Sequence, residues 1–162
     1  MIVFTTLAGA AQGLVVVMAL LGGNAGVPLL ELALRLAVLL LLAGLGASFA
    51  HLGKPLRAWR AATMWRTSWL SREVIVLPLF TAVVALWALL GQAAPAWLPL
   101  LAVLLALLLW WCTAMIYACL RFVQEWAHWF TPLNYTLIGL ASGGVLATAL
   151  AALLDDRAAL RV

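Results

Sequence analysis

Charged residues are scarce in this sequence, and their scarcity excludes most soluble folds. Only 9% of the 162 residues are Asp, Glu, Lys or Arg, whereas soluble domains have about a quarter. Hydrophobic residues account for 68% of the chain, and the mean hydropathy is +1.18. The sequence therefore predicts an integral membrane protein. The net charge of +4 does not indicate nucleic-acid binding, because basic loops in membrane proteins usually set topology.

Residues that bind metals or perform hydrolytic chemistry are also few. The two histidines and two cysteines form no spacing typical of a zinc or iron–sulfur site. Cys112 and Cys119 are seven residues apart in one apolar run, about 10 Å along a helix, so they cannot pair and are expected to pack. Phosphate-binding glycine loops, nucleophile elbows and carboxylate dyads are missing too, so any redox centre has to come from partner subunits.

Long apolar runs dominate what is present. A transmembrane helix needs about 20 apolar residues, and five segments meet that length. Residues 1–13 contain no Lys or Arg, so the first segment is expected to be retained rather than cleaved as a signal peptide. The predicted fold is all-α, a single domain over residues 1–162 forming a polytopic transmembrane helix bundle. The predicted spans are residues 2–21, 29–50, 72–90, 96–118 and 132–154.

Small residues and ion pairs refine the predicted spans. Gly9, Ala10 and Gly13 in the first span allow another helix to approach closely. Glu31 and Arg35 are four residues apart near the start of the second span and are expected to form a structural ion pair.

Polar chemistry is concentrated in residues 50–74, which hold five of the nine basic residues. Pro55 is well placed to begin a short interfacial helix over residues 56–70, between the second and third spans. Ser71 is then expected to cap the third span and Glu73 to lie in its first turn, where the helix dipole favours a carboxylate.

This arrangement gathers His51, Arg57 and Glu73 at one depth near the membrane boundary. Quinol oxidation needs bases near water that accept two protons, and His51 and Glu73 could accept them while Arg57 positions the carboxylate. The alternative is a charged loop that only fixes topology. His128 lies in the loop before the fifth span, where it is poorly placed to ligate haem with His51.

Membrane orientation follows from the Lys and Arg count. The loops on the N-terminal side of the membrane carry six basic residues, the last of them Arg121. The positive-inside rule therefore predicts a cytoplasmic N-terminus.

The runs HLGKPLRAWRA and TSWLSRE, which begin at His51 and Thr67, resemble the membrane-anchor subunit of the dimethyl sulfoxide reductase family. The same resemblance covers MIVFTTLAGAAQG, MIYACLRFVQEW and WFTPLNYTLIGLASGG. These DmsC-like anchors belong with the broader NrfD-like quinone-interacting subunits.

The resemblance implies a haem-free helical anchor in the bacterial inner membrane. Such an anchor oxidises menaquinol in anaerobic respiration and passes electrons to an iron–sulfur subunit, which supplies a molybdopterin catalytic subunit. The matching quinol-site positions are His51, Gly53, Arg57 and Glu73, with Trp59 as the expected aromatic. Family anchors have eight spans and an external N-terminus, so this chain corresponds to the N-terminal part of one. The alternative functions are a transporter fragment, an assembly factor or a cytochrome b type anchor.

Overall fold

The computed structural model describes residues 2–50, 63–120, 126 and 128–154, and all regular structure in these ranges is helical. Five of the helices are long and apolar enough to cross a membrane. We label them in chain order as α1 Ile2–Leu21, α2 Val27–Ala50, α3 Trp69–Leu90, α4 Trp97–Ala118 and α5 Phe130–Leu153. The predicted all-α fold with five spans is confirmed.

Sequence features explain where the helices begin and end. Pro28 is the second residue of α2, a position where a missing N–H costs no hydrogen bond. Ser68 has extended backbone angles, and its side chain accepts a hydrogen bond from Ser71 N at 3.4 Å. Gly91 ends α3 with a φ of 54°, a conformation that glycine adopts without steric cost.

The beginning of α3 differs from the prediction. Ser68 rather than Ser71 is the N-cap, so α3 starts three residues before the predicted residue 72. The predicted interfacial helix over residues 56–70 is wrong at its end, since Thr63–Thr67 form a short turn and Leu70 belongs to α3. The N-cap was predicted at Ser71 instead of Ser68 because both serine hydroxyl groups can accept a hydrogen bond from the first turn of a helix. Residues 51–62 lie outside the described residues.

The bundle is arranged around α1, which packs along α2 and α5 and also contacts α4. α3 packs against α4 and α2. The core of the bundle consists of fully buried apolar side chains such as Leu14, Met18, Leu34, Phe80 and Val84. Successive spans alternate in direction, so α1, α3 and α5 begin at one end of the bundle. We call this end the N-terminal end.

The outer surface of the bundle is apolar as well. Leu39, Leu89, Leu100 and Val145 are each more than half exposed, which suits a helix surface that faces lipid. Glu31 and Arg35 form the predicted ion pair, with Arg35 Nη2 2.9 Å from Glu31 Oε2. Cys112 is buried, and both it and Cys119 are free thiols.

Close approach of α1 and α5 depends on three glycines. Gly139 and Gly143 are four residues apart on α5, and Gly13 of α1 lies directly against both. A Cβ atom at Gly143 would overlap the backbone of Gly13 and Leu14. The expectation that α1 offers a close-packing surface is therefore confirmed at Gly13, whereas a Cβ atom at Gly9 would meet open space.

We expect Gly143→Ala to destabilise the bundle by about 1–3 kcal/mol, because the added methyl group forces α1 and α5 apart. Gly144→Ala is the matched control, since a Cβ atom there has no neighbour within 4 Å and alanine favours the helix. Thermal unfolding in detergent compares the two variants. Equal stability of both variants would contradict the glycine contact.

Candidate functional site

Glu73 is the only acidic side chain buried within the described part of the bundle, with 5% of its surface exposed. It is the fifth residue of α3, so it lies about 6 Å along the axis from Trp69. The prediction that Glu73 lies in the first turn was wrong, because the helix begins at Trp69. The carboxylate therefore faces the helix bundle one turn deeper than a capping position.

Thr113 of α4 is the hydrogen-bond partner of this carboxylate. Its hydroxyl donates to Glu73 Oε1 at 2.6 Å, and both side chains are buried. A hydrogen bond of this length is typical of a hydroxyl donor and a carboxyl acceptor. It links the second turn of α3 to the last two turns of α4.

A cavity of about 290 Å³ lies beside Thr113, between α1, α4 and α5. It is mainly apolar, and its polar side chains come from all three helices. The polar residues that line it are Thr5, Thr6, Gln12, Trp110, Thr113, Tyr135 and Ser142. Thr113 thus contacts the cavity and also binds Glu73.

The glycine contact closes one side of this cavity. Gly139 lies against Gly13, and a Cβ atom at Gly139 would be 2.6 Å from Nε1 of Trp110. The backbone of α5 therefore covers the indole ring. The cavity extends from this contact towards the N-terminal end of the bundle, past Phe4 and Thr5.

The cavity opens sideways rather than only along the bundle axis. Thr6 of α1 and Ile138 of α5 line it and are exposed on the outer surface. Both residues belong to helices of membrane-spanning length. The cavity therefore reaches the bundle surface at two helices of membrane-spanning length, α1 and α5.

Aromatic rings connect the cavity to the N-terminal end. Tyr135 stacks on Tyr117 with ring centroids 5.7 Å apart, and Tyr117 meets Trp126 edge-on at 5.5 Å. Trp126 is exposed, as expected for a ring at a membrane interface. These contacts hold Tyr135 in place at the cavity wall.

Four of the predicted site residues, His51, Gly53, Arg57 and Trp59, lie outside the described residues. The chain leaves α2 at Ala50 and enters α3 at Trp69, both at the N-terminal end of the bundle. Glu73 is thus the one predicted site residue whose surroundings the structure describes. The carboxylate lies one helical turn from this connection.

Arg72 has a structural role that the sequence did not indicate. Its Nε donates to Trp65 O at 3.0 Å and its Nη2 donates to Arg66 O at 3.1 Å. Its guanidinium group also lies 4.1 Å from the ring centroid of Trp69. Arg72 therefore fixes the turn that precedes α3.

His128 is exposed and stacks on Phe130 at 4.9 Å. Its Nδ1 accepts a hydrogen bond from Phe130 N at 3.3 Å. His128 therefore pairs with a backbone N–H group at the start of α5. Among the residues that the structure describes, His, Cys, Asp and Glu side chains form no cluster of three or more.

The residues that surround Glu73 and line the cavity were not predicted from the sequence. Gln12 and Thr113 are polar residues within apolar spans, and that isolation was the signal that could have identified them. Their relation to Glu73 depends on helix packing, which the spacing along one chain does not define.

The fold and site define a class of polytopic helical membrane protein with a buried carboxylate beside a lateral cavity. The family model "DMSO reductase anchor subunit (DmsC)" matches residues 1–160. The chain belongs to this family.

Two curated relatives are similar over most of this chain. It is 50% identical over 136 residues to a sulfite dehydrogenase subunit of Allochromatium vinosum, covering 74% of this chain and 42% of that protein. It is 35% identical over 119 residues to the anaerobic dimethyl sulfoxide reductase chain YnfH of Escherichia coli, covering 68% of this chain and 41% of that protein. The chain thus spans less than half the length of these relatives. No solved structure matches it significantly.

We expect Thr113→Val to destabilise the bundle by about 1–3 kcal/mol, since it leaves the buried Glu73 carboxyl group without its donor. Thr113→Ser keeps the hydroxyl and should recover most of that stability. Thr81→Val is the control, because Thr81 donates only to Leu77 O of its own helix. Thermal unfolding in detergent measures all three variants, and equal losses for Thr113→Val and Thr81→Val would refute the role of the hydrogen bond.

Proposed function

We propose that this chain binds a quinol in the cavity between α1, α4 and α5 and exchanges a proton with it through Thr113 and Glu73. The observation that carries the proposal is the buried Glu73 carboxyl group joined at 2.6 Å to a threonine that lines the cavity. A buried carboxyl group within a membrane is costly, and such groups are usually functional.

The cavity suits the headgroup of such a ligand. Its volume of about 290 Å³ is at the lower end of ligand sites, which corresponds to one ring system rather than a whole isoprenoid tail. The lateral opening between Thr6 and Ile138 leaves the tail in lipid. When bound, a quinol supplies two electrons and two protons.

Thr113 transfers the proton in this proposal. Its Oγ1 receives a proton from a ligand hydroxyl while its own proton passes to Glu73 Oε1, so one proton moves from the cavity to the carboxylate. Glu73 then releases it towards the N-terminal end of the bundle. His51 is the proposed acceptor of the second proton, and Arg57, Gly53 and Trp59 complete the proposed site.

The electrons leave for a docked iron–sulfur subunit, which exchanges them with a molybdopterin catalytic subunit. Membership of the anchor-subunit family supports this assembly. The proposed ligand is menaquinol, the proposed process is anaerobic respiration, and the proposed location is the bacterial inner membrane. Five helices of spanning length agree with a membrane location.

A second candidate function runs the same chemistry in reverse. The 50% identity to a sulfite dehydrogenase subunit favours the reverse electron flow. In that case the catalytic subunit oxidises its substrate, and this chain receives the electrons and reduces a quinone. Glu73 would then deliver a proton to the ligand through Thr113. Spectra of the partner's iron–sulfur clusters separate the directions, since a quinol reduces the clusters in one case and a quinone oxidises them in the other.

A non-redox function, such as a transporter fragment or an assembly factor, is the alternative from a different class. A cytochrome b type anchor is a further alternative. Copurification of an iron–sulfur partner would support the anchor-subunit function over the non-redox alternatives. A Soret absorption band in the purified complex would instead identify a cytochrome.

We expect Glu73→Gln to lower quinol-dependent reduction of the iron–sulfur partner by about a hundredfold or more, since glutamine cannot accept the proton. Assembly should be intact, because glutamine still accepts the hydrogen bond from Thr113. The control is Glu31→Gln, which changes an exposed acid paired with Arg35. Stopped-flow spectroscopy of the assembled complex measures the rates. Full activity of Glu73→Gln would contradict the proposal.

We expect His51→Ala to lower the same rate while leaving assembly unchanged, because the second proton loses its acceptor. His128→Ala is the matched control, as the structure assigns His128 to the start of α5. Similar losses in the two variants would remove His51 from the proposed site.

A further inference from the structure

Two buried polar atoms in the cavity wall have no hydrogen-bond partner among the residues that the structure describes. They are Oε1 of Gln12 on α1 and Nε1 of Trp110 on α4. Each of the two residues is only 2% exposed. An unpaired buried polar group costs about 1–3 kcal/mol, and within a membrane no water replaces the missing partner.

Several other polar side chains in the spans have a hydrogen-bond partner, in contrast to this pair. Thr81, Thr136 and Ser142 each donate to a carbonyl oxygen of their own helix. Thr113 donates to Glu73. A buried group that is left unpaired in a native protein calls for a functional explanation.

Both residues are close to the glycine contact that closes the cavity, Gln12 along the chain and Trp110 in space. Gln12 precedes Gly13, which packs against Gly139, and Trp110 Nε1 lies directly beside Gly139. Both residues line the same cavity. The residues that line the cavity therefore include one unpaired hydrogen-bond acceptor and one unpaired donor.

We infer that Gln12 and Trp110 bind one oxygen of the quinol headgroup, with Gln12 Oε1 accepting from the hydroxyl and the Trp110 indole N–H donating to it. A hydroxyl oxygen is a group that satisfies both atoms at once. This inference rests on the proposed function and adds the residues that hold the oxygen remote from Glu73.

The spacing along α4 agrees with a ligand that has two oxygens on opposite sides of one ring. Trp110 and Thr113 are three residues apart, so their Cβ atoms are separated by roughly 5–6 Å on one helix face. Trp110 and Gln12 hold one oxygen, and Thr113 contacts the other. The ring lies between α1 and α5 with its tail towards the lateral opening.

The test is equilibrium binding of a radiolabelled short-chain naphthoquinol to the full chain with its partner subunits, purified in detergent. We expect Gln12→Leu and Trp110→Phe each to raise the dissociation constant about five- to tenfold, the effect of one lost hydrogen bond. Thr136→Ala is the matched control with an unchanged constant, since Thr136 lies outside the cavity lining and its hydroxyl already donates to Pro132 O.

Stability of the ligand-free protein separates binding from packing. Gln12→Leu nearly keeps the side-chain volume and removes an unpaired buried group, so this variant should not unfold at a lower temperature than the wild type. Trp110→Phe is expected to lower the unfolding temperature because it leaves a cavity in the core, so the stability criterion applies to Gln12→Leu. A lower unfolding temperature of Gln12→Leu together with weaker binding would assign Gln12 to packing and overturn the inference. Unchanged affinity in both variants would overturn it as well.

These outcomes are distinct from failure of the proposed function. If the wild-type complex does not bind the naphthoquinol at all, the proposed function fails and this inference fails with it. If the wild type binds it and the two variants bind equally well, only the assignment of Gln12 and Trp110 is lost. Thr113 and Glu73 then remain the proposed proton route.

Discussion

The interior of a lipid bilayer offers no water to a polar side chain, and this constraint governs the arrangement of the whole bundle. Every polar side chain in a span has to find a protein partner, face a ligand or remain unpaired at a cost. Hydroxyl groups such as those of Thr81 and Thr136 meet the constraint by donating to their own helix. Glu73 meets it by accepting from Thr113 on another helix. Gln12 and Trp110 do not meet it, and they share one cavity with Thr113.

The glycine contact between α1 and α5 determines where that cavity forms. Gly13, Gly139 and Gly143 bring the two backbones together, which fixes the separation of the helices at that level. Larger side chains, Phe4 on α1 and Tyr135 on α5, line the cavity nearer to the N-terminal end. Small residues in membrane helices are usually discussed as a source of packing energy. Here they also close the cavity against the indole of Trp110.

The fold could be predicted from the sequence because span length follows directly from bilayer thickness. The five predicted spans differ from the helices by at most a few residues at their ends. Helix caps were less certain from sequence, since Ser68 and Ser71 are chemically equivalent and only the structure distinguishes them. That difference moved Glu73 from a predicted first-turn position to a buried one.

The site could be predicted only in part. Glu73 was identified as an acid beside a basic loop, and its burial strengthens that interpretation. Thr113, Gln12 and Trp110 were not identified, because their proximity arises from packing of α1, α4 and α5 rather than from spacing in the sequence. His51, Gly53, Arg57 and Trp59 depend on the family resemblance and stay predictions.

Glu73 is the residue that joins the two halves of the proposed site. Towards the bundle it binds Thr113 and, through it, the cavity. Along the chain it lies one helical turn from the segment that carries His51 and Arg57. A carboxyl group in this position can transfer a proton between the hydrophobic cavity and the N-terminal end of the bundle in either direction. In the function that we propose, the same residues therefore serve quinol oxidation and quinone reduction, and the redox partner decides the direction.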